Sequence, residues 1–528
     1  MKRQLQFSLE ARNSLRKGID LGARTVGISY GPNGRNVLID NRSEKPQVLK
    51  NGSQVLKNLS RKDHYEDIGI KILKEVSLKT QKQTGDGSTT AVLLTAALIQ
   101  NGIKLLHGGV NVNDLQTGLD HGLEVVCRNI RNKAIDIKQN EHFLEKLANT
   151  ATYHDRELSG ILIEAFKMTG HESLIITEKG KGTDTQLEIK EGMQFDRGYL
   201  SPYFITHLPK MKIELENPYI LLYDEVIAEV KDVLPLLDRC HNENRSLLIV
   251  AKNVESYALA TLILNKIRGT LKVAVVKTPY SGDTRTEMLE DIAACCGGIL
   301  FTKEKGVLLS FIEKGMLGEA DKVIVDQNNT CIINGRGSKR KINERIEQIR
   351  HQLSKPSLPK YNRKKLEKRL SKLLGLVAVI KVGAPTESEM KAKKNRVEIS
   401  VNTIKAAFEE GITYGGGLAY LKSIHELNDL EKREINQDVS SGISILRNAL
   451  KEPARVMINN SGTDASPIIE KLINKTNGNG YDVVTHQEVD FIEAAIIDPV
   501  KVLRVALENA VSVAGMFLKT ETVISYAK

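Results

Sequence analysis

Cysteine is scarce and scattered in this chain. Five occur in 528 residues, Cys127, Cys240, Cys295, Cys296 and Cys331, with no CxxC spacing and an odd total. That suggests neither a disulfide framework nor a zinc site, and the thiols are expected to be mostly buried. No apolar run approaches the roughly 20 residues that span a bilayer, and no tract is of low complexity. The N-terminal Met1-Lys2-Arg3-Gln4-Leu5-Gln6-Phe7 carries charge but lacks an h-region and a small-residue cleavage site. The expectation is a soluble, cytoplasmic protein with no membrane partner. Stacking aromatics are also missing from the most basic stretch, which deprives a nucleic-acid role of its usual platform.

What is present is the composition of an ordinary globular protein, 41% apolar and 27% charged. The length is too great for one core, and about three domains is the prior. Net charge is +11, and residues 336–372, with 14 Lys or Arg against 3 Asp or Glu, hold all of that excess. There Ile342, Ile346, Ile349 and Leu353, a proline-containing break at 355–359, and then Leu366, Leu370 and Leu373 describe two amphipathic helices. They are expected to bury an apolar stripe and point their basic residues at solvent. A salt-sensitive anionic partner is the weaker alternative.

The stretch Gly85-Asp86-Gly87-Ser88-Thr89-Thr90, followed by Ala91-Val92-Leu93-Leu94, reads as a phosphate loop feeding a helix. Two glycines let backbone N–H groups approach a phosphate, and the helix N-terminus adds unpaired donors and partial positive charge. Asp86 suits a hard cation such as Mg2+. A turn with an Asp or Ser N-cap accounts for the same residues, and spacing alone does not separate the two.

Residues 1 to about 132 read as mostly helical, with a turn at Gly31–Asn36 leading into a strand at Val37–Asp40. Past Gly192, short β-branched strands at Tyr219–Tyr223, Leu247–Val250 and Val273–Val276 alternate with helical stretches, an α/β pattern. After about 384 the chain is helical again, broken by Gly415-Gly416-Gly417 and a β-like region near Tyr481–Val484.

Several strings then fall into one order. Gly31-Pro32 with Gly34-Arg35-Asn36-Val37, the Gly85 loop, Glu191-Gly192-Met193-Gln194-Phe195-Asp196-Arg197-Gly198-Tyr199-Leu200-Ser201-Pro202-Tyr203-Phe204, Ala406 through Gly417, and Asp498-Pro499 resemble the group I, GroEL-type chaperonins over nearly the whole chain. The resemblance implies a multidomain α/β subunit. It would have a mostly helical equatorial domain (1–132 and 411–528), a small α/β intermediate domain (133–190 and 377–410) and an α/β apical domain (191–376). It further implies a site for ATP and Mg2+ built from Ser29, Tyr30, Gly31, Pro32, Lys50, Asp86, Gly87, Ser88, Thr89, Thr90, Gly416, Asp482, Val483, Val484 and Asp498, with Asp86 on the metal. Tyr199, Tyr203, Phe204, Leu234, Leu237, Leu259, Ile263 and Leu264 would form an apical face for unfolded polypeptide and a GroES-type lid. By spacing alone those eight would be core. Partners implied are unfolded chains, the lid, and further copies in heptameric or double-heptameric rings, or rings mixed with a related chaperonin.

The chain departs from the family where hydrolysis is concerned. The catalytic carboxylate expected after Val397-Glu398 is Ile399, and the second, expected after Lys50, is Asn51. Losing a general base typically costs about 100- to 10,000-fold in rate. Gly375-Leu376 replaces a hinge pair of glycines, and Asp482-Val483-Val484 replaces an Asn-Ala-Ala segment beside the adenine. Two functions therefore compete: a chaperone that binds Mg-ATP with hydrolysis weak or lost, and a non-cycling holdase or scaffold that is monomeric, in small oligomers or in mixed rings.

Overall fold

The run after the Gly85 loop folds into the helix Ser88–His107, apolar on nearly every side. A helix without a polar face has to be buried all round. It is the one described helix long and apolar enough to cross a membrane, yet 67% of that stretch is buried within the protein. The computed structural model describes residues 3–526 except 41–46, 50, 139, 140, 154, 171–173, 181, 281, 303–308, 310, 311, 355–358, 476 and 477. The chain divides into two compact units, Met1–Ile163 with Lys391–Lys528, and Glu164–Met390.

In the first unit, the helices Ser8–Gly27, His64–Thr84, Gln437–Ala449 and Val500–Leu518 pack against Ser88–His107, and Val112–Asn132 packs on Gln437–Ala449 and Val500–Leu518. They share a core that includes Leu15, Ile70, Leu73, Leu98, Leu446 and Ala510. Val112–Asn132 and Gln437–Ala449 cross at glycines. A Cβ on Gly118 would lie 1.9 Å from the Val439 carbonyl oxygen, and one on Gly442 would lie 2.2 Å from that of Leu115. No side chain fits at either point. Small antiparallel ladders complete the unit: Arg3–Phe7 with Thr522–Tyr526, Val37–Ile39 with Gln47–Leu49, Ile412–Tyr414 with Ile497–Pro499, and Asn479–Asp482 with Gln487–Asp490.

The second unit is built on one mixed sheet. Tyr219–Ile227, Leu247–Val254 and Val273–Lys277 are parallel neighbours, joined by crossovers through the helices Leu234–Asn242 and Ser256–Ile267. Gly318–Val325, Thr330–Gly335, Gln186–Phe195, Leu376–Val382 and Ile175–Lys179 continue the sheet in that order. The near-continuous apolar strands, Ile220 to Leu222 and Leu247 to Val250 among them, are buried on both faces. Residues 133–163 and 391–410 fall in the first unit, and 164–190 and 377–390 in the second.

The basic stretch forms the two expected helices, Lys339–Leu353 and Lys360–Leu373, over a small core of Ile346, Ile349, Leu366 and Leu373. The expectation that its charges point at solvent is corrected for several of them. Arg369 is buried, bonded twice to the buried Asp291 and once to Glu287, and Arg345 bonds the same Asp291 at 2.9 Å. Lys368 and Lys372 share Asp196. The buried Asp291 draws Arg369 and Arg345 inward, because an arginine loses its solvation cheaply only against a paired acid.

All five cysteines are free. Four are buried and Cys295 is half-buried. Burial pushes the Cys127, Cys240 and Cys295 thiols up to about 12, so they stay protonated and unreactive.

Candidate functional site

The turn between two helices places the site. His64–Thr84 ends at Gly85 in the left-handed conformation (φ 76°), and Ser88–His107 begins after Gly87, also left-handed (φ 74°). These angles favour glycine. The Asp86 side chain folds back on the turn, with Oδ1 accepting the Gly87 N–H at 2.7 Å. Gly87, as N-cap, has no side chain to bond the first amides, so the N–H groups of Ser88, Thr89 and Thr90 lack an intrahelical acceptor. That is a cradle for an anion.

Two other predicted residues lie near this loop, Tyr30 and Asp498. Tyr30 Oη and Thr90 Oγ1 are 2.8 Å apart. Gly31 is left-handed (φ 83°), and Asn33 in the same turn donates Nδ2 to the Val483 carbonyl at 2.8 Å. Ser29 is buried and spends its hydroxyl on the Val26 carbonyl. Gly52 packs against Thr89, since a Cβ there would lie 2.2 Å from Thr89 Oγ1. Asp498 pairs with Thr413 in the ladder that leads to Gly415 and Gly416. Asp482 holds the hairpin turn, accepting from the Val484 N–H and the Thr485 hydroxyl, with Val483 buried and Val484 exposed. Lys50 lies outside the described residues.

Electrostatics tie the cluster together. Burial, and then the charge of Asp86, push the Asp498 carboxyl up to about 7. Burial raises the Tyr30 phenol, the Thr90 bond opposes it, and Asp498 and Asp86 add to it. Among the described residues, no group of three or more His, Cys, Asp or Glu could hold a metal. A cation here would rest on Asp86 and on oxygens of its ligand, the usual arrangement for Mg2+ on phosphates. The residues present fit such a group.

The helix Glu387–Glu410 closes over the loop. A Cβ on Gly85 would lie 2.2 Å from that of Asn402, and Thr403 donates its hydroxyl to Asp86 Oδ2 at 3.2 Å. Ile399, one turn before Thr403, shares its face. Ile399, where the resemblance leads one to expect a carboxylate, is thus on the side turned toward Asp86, and Glu398 lies about 100° round the helix. Asn51 is the N-cap of Gly52–Asn58, its Oδ1 accepting from Ser53 N, Ser53 Oγ and Gln54 N.

Sequence reasoning missed three residues. Asn33 and Thr403 are described above, and Asn460 donates to the carbonyls of Gly27 and Tyr30 at 2.8 and 2.9 Å. Asn33 was legible as the polar member of a turn already singled out. Nothing in the sequence pairs Thr403 or Asn460 with their distant partners.

In the second unit the eight predicted apolar residues divide. Tyr203, Leu234 and Leu264 are exposed, and Tyr199, Leu259 and Ile263 are half-buried. Phe204 and Leu237 are core, at 0% and 4% exposure, which corrects their assignment to an outward face. Phe204 belongs to a short 3-10 turn whose next-door Tyr203 takes the outward direction, and Leu237 lies on the sheet-facing side of Leu234–Asn242. Tyr257, at 81%, Leu208 and Ile267 are exposed and were not predicted.

A model of the TCP-1/cpn60 chaperonin family matches residues 23–528. Among solved structures, the chain is similar to the chaperonin gp146 from the bacteriophage EL 2 (Pseudomonas aeruginosa), crystallised in the presence of ATP-BeFx. The TM-score is 0.69 over 99% of each chain, at 20% identity.

Proposed function

The chain belongs to the TCP-1/cpn60 chaperonin family, and from that membership we propose a GroEL-type folding chaperone that binds Mg-ATP in its first unit and non-native polypeptide on its second, with hydrolysis slow or lost. The observation that carries the last clause is Ile399 on the helix face whose next turn bonds Asp86. A side chain without a polar atom neither orients nor deprotonates an attacking water. Nucleotide binding is supported by the Gly87 N-cap, the free first-turn amides and the Asp86 carboxylate, and by a fold shared with a chaperonin crystallised with ATP-BeFx. When bound, Mg2+ would neutralise phosphate charge. Asp86 would hold the cation, and the loop amides would hold the phosphates.

Polypeptide binding is supported by Tyr203, Leu234, Tyr257 and Leu264, apolar or aromatic residues left in water on short helical segments. Ring assembly, a GroES-type lid and a cytoplasmic setting belong to the same proposal. Ile399 equally favours a second function, a holdase or scaffold that does not cycle.

The native mass of the purified protein with and without Mg-ATP, with phosphate release followed on the same sample, separates these. A ring that binds ATP without cleaving it supports the first reading. A small oligomer indifferent to ATP supports the second. A ring with ordinary turnover overturns the argument from Ile399.

A further inference from the structure

We propose that Thr403 is a positioning residue that fixes the Asp86 carboxylate for a divalent cation. The inference rests on the reading of the first unit as a Mg-nucleotide site. A carboxylate turns easily about its last torsion, and a lone exposed aspartate would spend much of its time misaligned. Here both oxygens are anchored, Oδ1 by the Gly87 N–H at 2.7 Å and Oδ2 by the Thr403 hydroxyl at 3.2 Å. A carboxylate offers about four lone-pair sites, so two anchors still leave room for a cation.

The second anchor is built rather than incidental. Thr403 is 6% exposed, so its bond to a half-buried charge is sheltered from water. Its single hydroxyl proton is shared between Asp86 and the Ile399 carbonyl at 3.0 Å, an acceptor within its own helix. The Ile399 carbonyl keeps the hydroxyl beside the loop, and the share of the proton directed at Asp86 is what anchors Oδ2. Ile399 offers the loop no polar atom, which leaves orientation to Thr403. Partners of this kind, which touch the ligand residue and not the metal, typically change metal affinity by about 10- to 100-fold when removed.

The test uses the full-length protein, Mn2+ as probe and ADP as the nucleotide, with free Mn2+ read by electron paramagnetic resonance. Thr403→Val keeps the side-chain shape and removes the hydroxyl, Thr403→Ser restores it, and Thr403→Ala serves if the valine variant does not fold. The expected result is Mn2+ affinity about 10- to 100-fold weaker in Thr403→Val, rescue to within about threefold in Thr403→Ser, and unchanged ADP affinity in EDTA. Wild-type Mn2+ affinity in Thr403→Val, or an equal loss in Thr403→Ser, overturns the proposal and leaves the nucleotide reading standing. A wild type that binds neither ADP nor Mn2+ with ADP overturns both.

Discussion

Arg369 meets Asp291 through two parallel hydrogen bonds, Nε to Oδ2 at 2.8 Å and Nη2 to Oδ1 at 3.1 Å, with both side chains almost wholly shielded from water. Removing one partner strands the other charge. Arg369→Met is expected to cost about 3–5 kcal/mol, because among the described residues Asp291 then keeps Arg345 alone. Adding Asp291→Leu to that variant should recover part of the loss, since a buried pair is worth little more than apolar groups of its volume and Arg345, which also loses Asp291, keeps Glu290. Urea unfolding of both variants checks this, and equal instability of the single and double variants would refute it.

Ile399→Asp with Asn51→Asp should raise ATP turnover by about 100-fold or more if only the two carboxylates are missing. Aspartate and asparagine cap helices about equally well, so Asn51→Asp alone should leave stability within a few tenths of a kcal/mol. Steady-state phosphate release gives the answer. No gain in the double variant would place the defect elsewhere, in assembly or in the segment around Val483.

Asp498 makes stability depend on pH in a definite direction. Its folded pKa of about 7 lies above the usual carboxylate value, so the folded state holds the proton more tightly. Stability from this group is present at low pH and is lost as pH rises toward 7. Asp498→Asn removes that dependence. Between about pH 5 and 7 the wild type should lose stability relative to the variant, with a level difference above about pH 8. Urea midpoints across that range test the sign, and a difference that shrinks with rising pH would contradict it.

The apolar residues of the second unit should separate into two behaviours. Tyr203→Ser, Leu234→Ser and Leu264→Ser, all at exposed positions, should weaken capture of a denatured client while shifting stability by less than about 0.5 kcal/mol. Phe204→Ala and Leu237→Ala open the core and should cost about 2–5 kcal/mol. Light scattering of an aggregating client and thermal melts distinguish them. If Leu237→Ala impairs capture without loss of stability, the burial argument fails.

The elements were largely legible because their signals are local. The α/β alternation at Tyr219, Leu247 and Val273 shows in β-branched runs, and the basic helices show in their isoleucine and leucine spacing. Direction was less legible. Periodicity shows that Leu234 and Leu237 lie close on one helix, not which of them meets the sheet. Charge counting likewise found the basic stretch and missed that Arg345 and Arg369 turn inward, since Asp291 is remote in sequence. At the site, the Gly85 turn and its helix were visible as chemistry, whereas the bonds from Thr403 to Asp86 and from Asn460 to Tyr30 join residues hundreds of positions apart.

The first unit is interrupted in sequence by the second, and this bears on how the molecule is made. Ser88–His107 leaves the ribosome early, while its packing partner Val500–Leu518 and the strand Thr522–Tyr526 that pairs with Arg3–Phe7 come last. At about 5–20 residues per second the wait is on the order of tens of seconds. Through that time this long apolar helix has only earlier helices, Ser8–Gly27 and His64–Thr84 among them, against it, whereas the second unit, continuous in sequence, can close beforehand. The nascent chain is thus itself an aggregation-prone substrate of the kind a chaperone receives, and its yield in a cell should depend on whatever shelters Ala91 to Ile103 until the C-terminal helix arrives.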